Sequence, residues 1–221
     1  MTDKGPVVAI IDYGMGNLFS VAQACAHARI ETVVTSDPAT VDGADAIILP
    51  GVGAFGNAMA TLRRLGLDAA IHRAVDRGRW LMGICLGMQM LCSESFEFGR
   101  HNGLGIIEGQ VLPFENPRDG KRELKVPQVG WNSVFPTMGW QGTALSGVTP
   151  GEYYYFVHSY CVHPAGASVA LAETSYGDVR FTSAVLSGRV FGCQFHPERS
   201  GPGGLHVYDN FKALVMGREI A

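Results

Sequence analysis

The chain has 221 residues, 47% hydrophobic and 17% charged, with 17 basic against 20 acidic side chains and a net charge of -3. That balance excludes intrinsic disorder, leaves no basic block for nucleic acid, and no apolar run approaches the roughly 18 residues of a membrane span. The five cysteines Cys25, Cys85, Cys92, Cys161 and Cys193 are odd in number and lack CxxC spacing. They read as reduced thiols of a cytoplasmic protein, with neither a disulfide frame nor a zinc site.

Met1-Thr2-Asp3-Lys4 leads into a strand-like run without signal-peptide architecture. Val7 to Ile11 is continuously apolar, as expected of a strand covered on both faces. The turn cluster Asp12-Tyr13-Gly14-Met15-Gly16-Asn17 follows and can cap a helix over Leu18 to Ala28. Thr32 to Thr35 and Ala46 to Leu49 are the next strands. A helical pattern spans Ala58 to Arg77, broken near Gly66, and Trp80 to Ile84 runs directly into a helix over Leu86 to Leu91. Strand–helix alternation of this kind predicts an α/β fold, with an open, mixed but mostly parallel sheet flanked by helices.

The second half is β-rich. Short strands are expected at Gln110 to Phe114, Tyr153 to Val157, Val169 to Glu173, Phe181 to Leu186 and Val190 to Phe195. Ser187-Gly188-Arg189 reads as a hairpin turn, Glu115 to Glu123 as an exposed loop, and Leu205 to Met216 as a closing helix. No linker or repeat interrupts the chain, so residues 1–221 are expected to form a single domain.

Gly83-Ile84-Cys85-Leu86-Gly87 lies where a strand meets a helix, the G-x-nucleophile-x-G elbow with cysteine in the serine position. A thiol there faces unpaired N–H groups and the positive end of a helix dipole, which favour thiolate. A thiolate nucleophile needs a base, and the base an orienting group. Phe195-His196-Pro197-Glu198 offers both just past a strand end. His158 is a second candidate base. His27, His72 and His206 fall in helical patterns, and His101 and His163 in apparent loops.

Pro50-Gly51-Val52-Gly53 can turn backbone N–H groups towards a ligand, as an oxyanion hole requires. Gly51 to Gly56 also matches the dinucleotide fingerprint G-x-G-x-x-G. However, it follows the third strand, and Asp76, at about the expected distance, lies in a helical pattern. Gly14-Met15-Gly16 has Phe19 in place of the third glycine. A nicotinamide-dependent oxidoreductase therefore has little support.

With these three motifs in this order, the sequence resembles class I (triad) glutamine amidotransferases. Further blocks narrow the resemblance to the glutaminase subunits of imidazole glycerol phosphate synthases. They are Ile11 to Leu18, Pro50 to Gly56, Gly83 to Gln89, Lys125-Val126-Pro127, Gly130-Trp131-Asn132, Tyr155 to Tyr160 and Gln194 to Glu198. Gln128, where histidine is expected, and Arg199, where lysine is common, depart from the pattern, as does Pro202-Gly203-Gly204. These departures leave open a paralogue serving another synthase, and an inactive scaffold is the remaining alternative.

The resemblance implies that Cys85 attacks the carboxamide of L-glutamine, His196 relays the proton and Glu198 orients His196. It places the oxyanion on N–H groups of Gly51, Val52, Gly53 and Leu86, and the substrate against Gln89, Ser159 and Tyr160. It implies no metal and no cofactor. The implied partner is a (β/α)₈-barrel cyclase subunit in a heterodimer, with Trp131, Tyr155 and Arg199 near the interface.

Overall fold

A computed structural model describes residues 5–220. The first half runs β1 (Val7–Ile11), α1 (Leu18–His27), β2 (Glu31–Thr35), α2 (Pro38–Gly43), β3 (Ala46–Gly51), α3 (Phe55–Arg64), α4 (Leu67–Asp76), β4 (Trp80–Cys85) and α5 (Leu86–Met90). The second half adds β5 (Cys92–Ser95), β6 (His101–Asn102), β7 (Ile107–Pro113), β8 (Arg118–Asp119), β9 (Arg122–Glu123), β10 (Gln128–Ser133) and β11 (Phe135–Pro136). It closes with β12 (Tyr153–His158), β13 (Tyr160–Pro164), β14 (Ala170–Tyr176), β15 (Val179–Ser187), β16 (Val190–Cys193) and α6 (Gly201–Val215).

Local chemistry explains the boundaries. Asn17 caps α1 by accepting a hydrogen bond from the Ser20 amide, and Asp37 caps α2 through the Ala39 and Thr40 amides ahead of Pro38. Gly66 at φ 70° separates α3 from α4, the expected break. Gly188 at φ 56° turns the β15–β16 hairpin, whose last pair is Ser187 with Val190.

The main sheet is mixed, in the order β2-β1-β3-β4-β16-β15-β13-β7-β5-β6, with β14 beside β15 and β11 beside β14. Strands β2-β1-β3-β4-β16 form an all-parallel block, and from β16 to β15 the pairing turns antiparallel. Every residue of β3 is buried, and β1 and β4 are buried except at their first residue, so their apolar runs carry no polar face. α1 and α6 cover one face of the sheet and α2 to α5 the other, each closing its own apolar cluster. Among the described residues no helix is long and apolar enough to cross a membrane.

Several expectations need correction. α2 is a helix where none was expected, because six residues are too few to show an apolar period. The 115–123 segment is exposed, yet it carries the small β8–β9 hairpin. His101 and His163 lie in β6 and β13 rather than in loops. A separate ribbon, β10 with β12, pairs Gln128 with His158 and Trp131 with Tyr155.

Candidate active site

Strands β3, β4 and β16 are neighbours and run the same way, so their carboxyl ends open at one edge of the sheet. That edge is where open α/β sheets collect their chemistry. It brings together the Gly51–Gly53 turn, Cys85 and the segment containing His196. Gly51 pairs directly with Cys85 across the β3–β4 ladder.

Cys85 ends β4 at φ 55° and ψ -110°. A non-glycine residue in such a conformation costs about 1–3 kcal/mol and persists only when its surroundings hold it there. Here the backbone does so. A Cβ on Gly83 would lie 2.9 Å from the Met88 amide nitrogen, and one on Gly87 would overlap the Leu49 carbonyl oxygen. Both glycines of the elbow are therefore dictated by close backbone approach. Gly87→Ala is expected to cost roughly 1–3 kcal/mol of stability in urea unfolding and to displace the Cys85 elbow with it. A variant of wild-type stability would show that the approach is not tight.

The Cys85 sulfur accepts a hydrogen bond from Gln194 Nε2 at 3.6 Å and lies 3.8 Å from the Val157 carbonyl oxygen. The other four cysteines are buried and free. Burial pushes the Cys25 and Cys92 thiols up to about 12 and raises Cys161 and Cys193 as well, with the Glu198 and Cys85 charges adding to the shift at Cys193. Those thiols stay protonated and inert. Cys92 belongs to β5.

His196 and Glu198 are brought together by the single turn of 3₁₀ helix over Pro197–Arg199. His196 Nδ1 is 2.7 Å from Glu198 Oε1, with side chains only 4% and 2% exposed. Burial alone would lower the imidazole pKa, but the Cys85 charge and the hydrogen-bonded Glu198 carboxylate overrule it and hold the ring above its ordinary range, while Nε2 is buried without a hydrogen-bond partner. His158 differs in every respect. It is wrapped by Phe114, Phe156 and Phe181, its Nδ1 lies 2.9 Å from the Tyr160 carbonyl oxygen, and burial drives its pKa down to about 4. It packs as a neutral ring.

A cavity of about 240 Å³ opens beside the sulfur, walled by Val52, Gly53, Cys85, Leu86, Gln89, Ser159 and Tyr160 among others. Gly51 lies behind this wall, where a side chain would collide with the Tyr13 hydroxyl, and Tyr13 itself donates to the Pro50 carbonyl at 2.9 Å. His196 also stands outside the wall, 3% exposed. Gln89 commits its amide nitrogen to Tyr160 O at 3.0 Å and Gln194 Oε1 at 3.1 Å.

Glu97 also lines the cavity, with one carboxylate oxygen accepting from the Phe55 amide. Sequence reasoning missed it, because it sits in Ser93-Glu94-Ser95-Phe96-Glu97, which carries no motif. It reaches the site through a contact spanning 42 positions.

Trp131, Tyr155 and Arg199 form one cluster on the surface. Trp131 is 52% exposed and meets Tyr155 edge-on at 6.1 Å, while the Arg199 guanidinium lies 4.7 Å from the Tyr155 ring centre. The Tyr155 carbonyl accepts the His196 amide at 2.9 Å, so the cluster is one backbone bond from the buried imidazole.

A strained thiol beside a carboxylate-bound imidazole suits attack on an acyl carbon and proton transfer to its leaving group. Comparison with known proteins points the same way. The family model described as glutamine amidotransferase class-I matches residues 9–214. The imidazole glycerol phosphate synthase subunit HisH of Bacillus velezensis is 42% identical over 97% of this chain and 99% of its own length. The HisH of Moorella thermoacetica is 45% identical over 94% and 95%. Among solved structures, PurLQS from Thermotoga maritima superposes with a TM-score of 0.72 at 21% identity, covering 94% of this chain and 98% of that one. The chain is an enzyme of the class-I glutamine amidotransferase family.

Proposed function

We propose that the chain is the glutaminase subunit of an imidazole glycerol phosphate synthase, folded as one domain and working without metal or cofactor. It hydrolyses L-glutamine to glutamate and passes the ammonia to a cyclase subunit in histidine biosynthesis. The observation that carries the chemistry is the strained Cys85 coupled to a hydrogen-bonded His196–Glu198 pair. Near-full-length similarity to the HisH subunits supports the choice of synthase.

Glutamine enters the cavity with its carboxamide towards Cys85. The thiolate attacks the carbonyl carbon, and N–H groups of the Gly51–Gly53 segment and Leu86 take the developing oxyanion. His196, protonated, gives its proton to the departing nitrogen, and ammonia leaves. Water then attacks the γ-glutamyl thioester, its proton passes to His196, and the carbon–sulfur bond breaks to return the thiolate. Glu198 keeps the ring oriented and stabilises its positive form. Glu97, the acidic side chain in the cavity wall, pairs with the substrate's α-ammonium group. Gln89, Ser159 and Tyr160 complete the contacts.

Ammonia is protonated in water near neutral pH, so its source works best docked against its acceptor. The Trp131–Tyr155–Arg199 cluster has the residue types that dominate interface energetics, and we assign it to the cyclase, a (β/α)₈ barrel forming a heterodimer with this chain. Docking there reaches His196 through the Tyr155 carbonyl. A nucleotide bound in the barrel would favour the arrangement of the Gly51–Gly53 segment that offers an N–H to the oxyanion.

Glutaminase turnover is thus expected to be very low for the chain alone and to rise on the order of 100-fold with cyclase and its nucleotide ligand. Arg199→Glu should weaken the complex while leaving Cys85 open to a small alkylating agent. Full turnover by the chain alone, indifferent to cyclase, would contradict this assignment.

A further inference from the structure

The hydrogen bonds behind the sulfur identify each donor and acceptor without ambiguity. The Tyr160 carbonyl oxygen can only accept. It lies 3.0 Å from Gln89 Nε2 and 2.9 Å from His158 Nδ1, so both groups face it as donors. That contact fixes which end of the Gln89 amide is nitrogen. The same nitrogen meets Gln194 Oε1 at 3.1 Å, which commits the Gln194 oxygen. What remains of the Gln194 amide, its NH₂ group, points at Cys85 Sγ from 3.6 Å.

The position of Gln194 is equally determined. Its amide N–H is tied to the Ser183 carbonyl at 2.9 Å, holding the chain beyond β16 against β15. In an extended segment successive side chains alternate. Phe195 turns into the core, its ring tilted against Tyr154 at 4.3 Å, while Gln194 and His196 on either side of it take the opposite face, where Gln194 bonds the Cys85 sulfur. Gln194 is fully buried, so no bulk water competes for its amide N–H.

We infer that Gln194 is a further catalytic residue, whose buried amide N–H binds the Cys85 sulfur in its anionic form and aims it at the cavity. The inference rests on Cys85 being the nucleophile, as proposed above. An N–H donor interacts more strongly with a thiolate than with the neutral sulfur of a thiol or thioester. The bond is therefore strongest at two moments. The first is before attack, when the sulfur carries the reacting electron pair. The second is when the tetrahedral intermediate of thioester hydrolysis collapses, the carbon–sulfur bond breaks and its electron pair returns to sulfur.

Gln194→Met tests this directly, since it keeps the length and volume of the side chain and removes the amide. Two quantities are measured: steady-state glutamine hydrolysis by the complex with its synthase partner, and the rate of Cys85 alkylation by iodoacetamide across pH. The expected result is a kcat lower by roughly 10- to 100-fold with KM within about twofold, the effect of one hydrogen bond to a charged group. The alkylation profile should also move to higher pH. Simple loss of packing would not move that profile. Should Gln194→Met fail to fold, Gln194→Glu carries the test, because it presents an oxygen to the sulfur in the same space and should lose activity equally.

Wild-type kcat and an unmoved alkylation profile in either folded variant would overturn the role of Gln194. Cys85→Ala, assayed alongside, separates the two claims. If it retains turnover, the nucleophile assignment fails. If it is dead while Gln194→Met matches wild type, only the Gln194 inference falls.

Discussion

Cys85→Ala is expected to remove glutamine-dependent turnover by roughly four to six orders of magnitude, the usual consequence of losing a covalent nucleophile. No other thiol can substitute, because burial holds Cys25, Cys92, Cys161 and Cys193 in the protonated form. Synthesis by the complex from added ammonia should survive, since ammonia bypasses the glutaminase site. Cys92→Ala removes a small buried side chain from β5 and should cost stability without changing turnover. Glutamate release assayed with glutamine, beside product formation from ammonium salt, distinguishes these outcomes. Retained glutamate release in Cys85→Ala would remove the basis of the mechanism.

The second large effect belongs to His196. His196→Ala should lose nearly all turnover, because the proposed mechanism has one ring both protonate the departing ammonia and deprotonate the attacking water. His158→Asn should keep most of its activity, since a ring with a pKa near 4 and an aromatic wrapping stays neutral at neutral pH, its one proton facing the Tyr160 carbonyl. Glu198→Gln should lose less than His196→Ala, with an informative pH dependence. In the wild type, Cys85 and Glu198 hold the His196 proton against the opposing effect of burial. Neutralising the carboxylate weakens that hold, so the alkaline limb of the pH–rate profile should move to lower pH. A Glu198→Gln profile superimposable on the wild type would show that the carboxylate has no electrostatic part in the reaction.

The parallel half of the fold was readable residue by residue because its physical signal is local. β1, β3 and β4 are apolar throughout because helices cover both faces, and Asn17 and Gly66 mark helix limits by their own chemistry. The antiparallel half was less legible. His101 and His163 were assigned to loops, since β6 has two residues and β13 is defined by pairing with β7, about fifty positions earlier in the chain. The ribbon of β10 and β12 exposes Val129, Trp131 and Tyr153 on one face and buries Gln128 and Tyr154 on the other. Only the strand register separates the two sets.

The candidate site divides in the same way. The Cys85 elbow, the Gly51–Gly53 turn and His196–Glu198 each announce themselves in a few consecutive residues, and three adjacent parallel strands bring them together. Glu97 and Gln194 do not. Glu97 arrives from the segment between β5 and β6, across the start of α3, through its bond to the Phe55 amide. Gln194 stands inside a recognisable motif, but its part becomes visible only once the Tyr160 carbonyl fixes the Gln89 amide and Gln89 fixes Gln194. Gln89 was expected to contact glutamine, yet its amide nitrogen is spent on this chain of bonds, which leaves its oxygen for the substrate.

The most direct measurement is an acid quench of the complete synthase complex while it turns over isotopically labelled glutamine, followed by peptide mapping. The predicted result is a labelled γ-glutamyl group on the peptide containing Cys85, labile to hydroxylamine as a thioester is, and absent from Cys85→Ala. Label on any other residue, or steady glutamate release with no covalent label on Cys85 at any quench time, would contradict it.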